Sequence, residues 1–168
     1  MPPVDPDEFA RTMARVPTPV TVVTTVDTSG RRWGFTASSF TSLSLDPPLV
    51  LVCLARTASC HAAFAAADRF LVNVLAADQA DVAGAFARSG HDKFAGGTME
   101  PCEAGLPGLP GATARLACVT HGVLDGGDHS ILVGRVESVA TGVAEPMVYC
   151  NRLFTRLGGN PALASSTP

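Results

Sequence analysis

Apolar residues in this chain come in short, β-branched runs set off by turn residues, and three-to-four spacing occurs in only a few places. Residues 19–26 are rich in Val and Thr, which suits a strand. Asp27-Thr28-Ser29-Gly30 is a turn signal, and residues 31–36 return from it as a second strand. Residues 49–55 are a continuous apolar run after two prolines, the pattern of a buried strand. Residues 70–75, 112–124, 130–141 and 147–150 read as further strands, with Asp125-Gly126-Gly127-Asp128 as a tight hairpin connection.

Helices are few. Asp5 and Pro6 read as the N-cap and first-turn proline of a helix reaching about residue 15. Ser59 opens an Ala-rich helix to about residue 67, and Asp78 caps one over 79–88 with Val82, Ala85 and Phe86 on one face. A last short helix is expected over 153–157, ended by Gly158 and Gly159, with a disordered tail over 160–168. Residues 89–111 are rich in Gly and Pro, and so long a structureless segment usually has a function or packs against a partner. Strands dominate without regular βαβ alternation, so the expected fold is mainly β: an antiparallel barrel with peripheral helices. The length of 168 residues favours one domain over 1–168.

Composition narrows the function classes. Lys and Arg number 12 against 15 Asp and Glu, without a basic block, which argues against nucleic acid or an anionic membrane as partner. No run approaches a membrane span, and the acidic, Pro-rich start lacks the features of a secretory signal. Five cysteines without a C-x-x-C pair point to reducing cytoplasm, with Cys53 and Cys118 as small core residues. Low charge and a mean hydropathy of +0.26 suggest surface buried in an oligomer. No G-x-G-x-x-G opens a helix, so a Rossmann nicotinamide site is unsupported. The four histidines form no metal set with carboxylates or thiols.

Candidate chemistry sits in Gly34-Phe35-Thr36-Ala37-Ser38-Ser39-Phe40, where small side chains would let a flat ligand approach the backbone and hydroxyls could bond its polar edge. The same run also suits a plain loop. Together with Asp46-Pro47-Pro48, the apolar run Leu49 to Cys53, and Gly127-Asp128-His129, it resembles the short-chain flavin reductase family, from about Met13 to Leu157. That resemblance implies an FMN-binding split β-barrel of Greek-key type that forms a homodimer. It implies an NAD(P)H:flavin oxidoreductase that passes hydride from NADH or NADPH to FMN or FAD. The free reduced flavin would then supply a partner monooxygenase. Rival readings are a non-catalytic FMN carrier and a pyridoxamine-oxidase-like enzyme on the same barrel.

The resemblance also assigns residues. Phe35, Thr36, Ala37, Ser38 and Ser39 would line the isoalloxazine, with Cys53, Leu54 and Ala55 on a neighbouring strand that is equally readable as plain core. In Arg56-Thr57-Ala58-Ser59, the Ser59 hydroxyl is either a flavin-phosphate contact or an ordinary N-cap. Lys93, followed by Phe94, matches the family's Lys-Phe pair and would meet the phosphate as a point charge; Phe86, Ala87 and Arg88 would lie by the flavin as well. His129, beside Gly126, Gly127 and Asp128, would position the nicotinamide or a flavin oxygen, since hydride transfer needs no proton donor at the nicotinamide carbon. Tyr149 and Arg152 match a late Tyr-x-x-Arg pattern, in which Arg152 either reaches a dinucleotide phosphate or makes an ion pair.

Overall fold

A computed structural model describes residues 3–158; the expected tail over 160–168 lies outside the described residues. Twelve strands and three α-helices follow in chain order. The first part holds α1 (Pro6–Met13), β1 (Thr18–Pro19), β2 (Thr21–Val26), β3 (Arg32–Ala37), β4 (Thr41–Leu45), β5 (Pro48–Ala55) and α2 (His61–Ala65). After these come β6 (Arg69–Val74), α3 (Ala80–Ala87), β7 (Glu100–Pro101), β8 (Pro107–Gly108), β9 (Ala114–Gly126), β10 (His129–Thr141), β11 (Met147–Cys150) and β12 (Leu153–Arg156). Among the described residues, no helix is long and apolar enough to cross a membrane.

The main sheet has seven strands in the order β3-β2-β6-β9-β10-β5-β4, and every pairing in it is antiparallel. This agrees with the expected mainly β class, but β3 and β4 remain edges and the sheet is not closed into a barrel. Its centre is buried on both faces. Val23 joins Phe35, Val52, Leu54, Phe64, Phe70 and Leu132 in one cluster, while Val22 joins Leu75, Ala83, Phe86, Phe94 and Met147 in another. Successive side chains of a strand point to opposite faces, so β2 feeds both clusters. Its buried threonines are satisfied: Thr21 donates to the Ala37 carbonyl at 3.0 Å and Thr25 to that of Arg69 at 2.7 Å.

The structure departs from the sequence reading in several other places, among them Cys53, which was expected in the core and is only partly buried. Residues 153–157 are not a helix: Leu153–Arg156 is β12, paired with β11 through a two-residue turn at Asn151 and Arg152, whose φ values are 51° and 63°. Strand β4 was not among the expected elements, although its Ser-Leu-Ser-Leu alternation has the period of a strand; it pairs along β5. Asp78 does not cap α3; Gln79 occupies the N-cap position, and its side chain bonds the Ala76 amide and the Pro110 carbonyl. Residues 89–111 are not structureless. They carry β7, a 3₁₀ turn at Glu103–Gly105 and β8, and bury Phe94, Met99, Leu106 and Leu109 in this chain's own core. A bidentate Arg115–Glu103 pair at 2.8 and 2.9 Å anchors this segment to β9 and holds the Glu103 carboxyl below its usual range.

Strand β10, paired with β9, carries no side chain at Gly134, where a Cβ would stand 2.4 Å from the Phe70 ring of β6 and 2.7 Å from the Cys118 Cβ of β9. The substitution Gly134→Val forces this contact and should cost about 1–3 kcal/mol of stability, as overpacking does. Urea unfolding measures it; an unchanged midpoint would contradict the packing described.

Candidate functional site

A cavity of about 340 Å³ lies where edge strand β3 faces the end of β5 without pairing to it. Its walls contain Phe35, Thr36, Ala37, Ser38 and Ser39 from β3 and its exit, and Cys53, Leu54 and Ala55 from β5. Ser59, Phe86, Ala87, Lys93 and His129 complete the set of expected residues found there. The sequence reading missed Ala58, Cys60 and Ser89, neighbours of assigned residues with no chemical signal of their own. Four expected residues are not in these walls. Arg88 donates back to the Gly84 carbonyl of α3, and Phe94 lines an adjoining chamber. Tyr149 packs against Phe154 at 5.5 Å, and Arg152 sits in the β11–β12 turn.

One wall is set by the contact of α3 with β3. A Cβ on Gly34 would stand 2.7 Å from the Phe86 ring, so glycine is required here for helix packing, not for ligand access as the motif suggested. The Thr36 hydroxyl donates to the Ala83 carbonyl at 2.7 Å. The Ser39 hydroxyl accepts from the Cys53 amide at 2.9 Å and so joins the β3 exit to β5. Two of the three hydroxyls expected to meet a ligand edge are therefore committed to the protein, leaving Ser38 exposed on the rim. Phe35 is turned into the core, edge-on to Phe64 at 4.9 Å.

Lys93 closes one end. Its ammonium donates to the Phe86 carbonyl at 2.7 Å, near the end of α3, and to the Gly34 carbonyl at 3.1 Å. An ammonium has three donors, so one remains for an anion in the cavity. Burial pushes the Lys93 pKa down and the Cys60 thiol up, and the attraction between the two partly offsets both shifts. Ser59 lies beside them. Helix α2 starts at His61 with Cys60 in the N-cap position, so Ser59 does not cap it; it lines the cavity, and its hydroxyl makes no hydrogen bond among the described residues.

His129 stands opposite, paired in register with Ala55 and with Gly126 across the hairpin, where Gly127 takes a φ of 77°. Its Nδ1 lies 2.7 Å from the Asp128 carboxylate, which is held below its usual range chiefly by that bond. The contact directs the Nδ1 proton to Asp128 and leaves Nε2 as the free acceptor of the neutral ring. Arg56 does not face the cavity. It pairs with Asp125 and donates to the Gly127 carbonyl at 2.9 Å, fastening the hairpin to the end of β5.

The result is a slot with small and apolar walls, a polar rim, an anion-ready end at Ser59 and Lys93, and an oriented imidazole opposite. These residues suit a flat heteroaromatic ring carrying a phosphate.

Known proteins share this architecture. A family model for the flavin reductase like domain matches residues 13–158. The chain is 46% identical over 167 residues to the NADH:riboflavin 5'-phosphate oxidoreductase of Streptomyces pristinaespiralis, covering 97% of this chain and 95% of that protein. It is 41% identical over 137 residues to the reductase subunit of a flavin-dependent monooxygenase of Mycobacterium tuberculosis, covering 82% and 73% respectively. The structure matches the NADH:FAD oxidoreductase of Streptomyces globisporus, solved in complex with NAD and FAD fragments, with a TM-score of 0.88 and 36% identity over 96% of this chain and 100% of that one. With the family model matching residues 13–158 and a relative of 46% identity covered over 95% of its length, this protein belongs to the flavin reductase-like family.

Proposed function

We propose that this protein is an NADH-dependent flavin reductase that reduces FMN or FAD and releases the product to a partner flavin-dependent monooxygenase. The observation that carries this reading is the single cavity in which the β3 exit, the end of β5, Ser59, Lys93 and His129 meet. In the balanced reaction, NADH, a proton from solvent and oxidised flavin yield NAD⁺ and dihydroflavin. The flavin supplies the electron-accepting ring, and the chain supplies binding and orientation. Ala37, Ala55 and Phe86 border the ring, Ser38 serves its polar edge, and Ser59 and Lys93 hold its phosphate, while Phe35 backs the wall from the core. His129, aimed by Asp128, positions the nicotinamide.

Several further features support the wider reading. The relative of 46% identity is named for riboflavin 5'-phosphate and NADH, and the M. tuberculosis relative for its place in a two-component monooxygenase. The chain acts as one flavin reductase-like domain on a split β-barrel, with the unpaired β3 edge as the split. It functions as a homodimer in the cytoplasm. Leu45 and Val139 expose 94% and 64% of their surface on the sheet that would meet a second copy, and the five cysteines are free, as a reducing compartment keeps them. Tyr149, Arg152 and Arg88, which lie outside this chain's own cavity, would contribute to flavin binding only from such an assembly.

The direct test is loss of NADH absorbance with added FMN or FAD by extensively dialysed protein. Turnover of free flavin is expected. Retention of stoichiometric flavin without reduction of added flavin would favour a carrier or an oxidase-type flavoprotein. In sedimentation the same preparation should run as a dimer, and a 17.3 kDa monomer at micromolar concentration would refute the pairing.

Lys93→Ala should weaken FMN far more than riboflavin, because only FMN carries the phosphate. A charge-assisted contact is worth roughly 1.5–3 kcal/mol, so a loss of about 10- to 150-fold is expected. Equal weakening of both flavins would assign Lys93 to α3 packing alone.

His129→Ala should raise the KM for NADH or lower kcat while FMN affinity stays nearly the same. Asp128→Asn should act in the same direction, since it removes the carboxylate charge and introduces an amide donor that can bond Nδ1 and favour the other tautomer. Unchanged steady-state kinetics in both variants would remove His129 from the nicotinamide side.

A further inference from the structure

Two wall residues of the cavity, Ser59 and Cys60, sit on the turn that leads from β5 into α2, and the next residue is His61. The start of this turn is tied to the β9–β10 hairpin, where the Arg56 amide donates to the Asp128 carbonyl at 3.0 Å. Past Arg56 the backbone bonds are local. The Ala58 amide donates to the Ala55 carbonyl at 3.0 Å, and the His61 amide to that of Ala58 at 2.9 Å. Among the described residues, no side chain of residues 57–60 bonds another part of the chain. Helix α2 spans five residues, too few to be rigid by itself. Cys60 and Phe64 bury it against the sheet, but apolar packing carries little direction.

The directional tie at the end of the turn is His61. Its Nε2 lies 2.9 Å from the Ser130 hydroxyl, 69 residues further along the chain. Ser130 is buried on β10, opposite Leu54 of β5, and directly follows His129. Its hydroxyl has no other partner among the described residues, and a buried hydroxyl left unpaired is costly. A hydroxyl both donates and accepts, so either neutral tautomer of His61 and the protonated ring can keep this bond. It is a brace and not a pH switch. The path Ser59–Cys60–His61···Ser130–His129 thus runs from the anion-ready end of the cavity to the imidazole on its other side through one hydrogen bond.

We propose that His61 is a positioning residue for the flavin phosphate: its bond to Ser130 fixes the turn over residues 57–60 against β10, and so fixes where the Ser59 hydroxyl meets the phosphate. The inference rests on the flavin reductase reading, with the phosphate at Ser59 and Lys93. Lys93 is held from the other side, by the Phe86 and Gly34 carbonyls, and does not depend on His61. Neither His61 nor Ser130 belongs to the cavity wall. The preference for a phosphorylated flavin over riboflavin therefore depends in part on two residues that touch neither flavin nor nicotinamide.

The test is equilibrium binding of riboflavin and FMN by flavin fluorescence. The proteins are the wild type, Ser130→Ala, His61→Phe, His61→Gln, and Ser59→Ala with and without Ser130→Ala. Ser130→Ala and His61→Phe each remove the bond. Each should lose roughly three- to tenfold for FMN, the size of one neutral hydrogen bond, and about twofold or less for riboflavin. His61→Gln keeps a donor and an acceptor at similar reach and should recover most of the loss. In the Ser59→Ala background, Ser130→Ala should cost FMN about twofold or less, because the group it places is already gone. If one bond-removing variant does not fold, the other carries the comparison. Equal losses for both flavins, unchanged FMN binding in the bond-removing variants, or full additivity with Ser59→Ala overturns the positioning role while the flavin reductase reading stands. A wild type that binds FMN no better than riboflavin overturns it by removing the phosphate contact itself. Failure of the wild type to bind either flavin overturns both readings.

Discussion

The site depends on how closely α3 lies on the edge strand β3. The Phe86 ring occupies the space a side chain on Gly34 would take, and the Thr36 hydroxyl ties β3 to the Ala83 carbonyl. The Lys93 ammonium then bridges the Phe86 and Gly34 carbonyls, one from the helix and one from the strand. A half-buried ammonium is costly unless its protons find acceptors, and these two carbonyls are otherwise hard to satisfy at a helix end and a sheet edge. Each group thus removes the other's penalty, and the same arrangement places a positive charge at the end of the cavity. Structural and binding roles coincide in Lys93.

The committed hydroxyls show a related economy. Ser39 holds two strands together across the unpaired gap between β3 and β5, and that gap is the cavity. Had β3 paired fully with β5, the ladder would have filled the space and consumed the backbone groups along it. The edge of β3 is instead protected by α3 on one side and by serines at its exit. This is a local answer to the exposure of an unpaired strand.

Much of this arrangement was legible in the sequence. The β-branched runs located most of the main strands, and the flavin reductase resemblance brought together residues as distant as Thr36, Lys93 and His129. What the sequence hid was the use of each group. Whether a threonine hydroxyl meets a ligand or a helix carbonyl depends on the approach of α3, which no local pattern encodes. The C-terminal hairpin was misread because Asn151 and Arg152 both adopt positive φ, which residue type alone rarely announces. Residues 89–111 looked unstructured because their order comes from long-range contacts, such as Arg115 with Glu103 and Asn73 with the Leu109 amide.

Strand β5 carries a further consequence. Val50, Val52 and Leu54 are buried in the core, with Leu54 also reaching the cavity wall, while Cys53 and Ala55 alternate with them along that wall, and Ala55 is paired with His129. The spacing between the ring wall and the imidazole is therefore counted in whole residues along one strand. A slip of one position against β10 would exchange the two sets, turning Val52 toward the slot and Cys53 and Ala55 into the core. Parity, more than any single contact, protects this geometry. Insertions and deletions that the fold tolerates near the site should accordingly fall in its loops, and not within residues 48–55 or the facing half of β10.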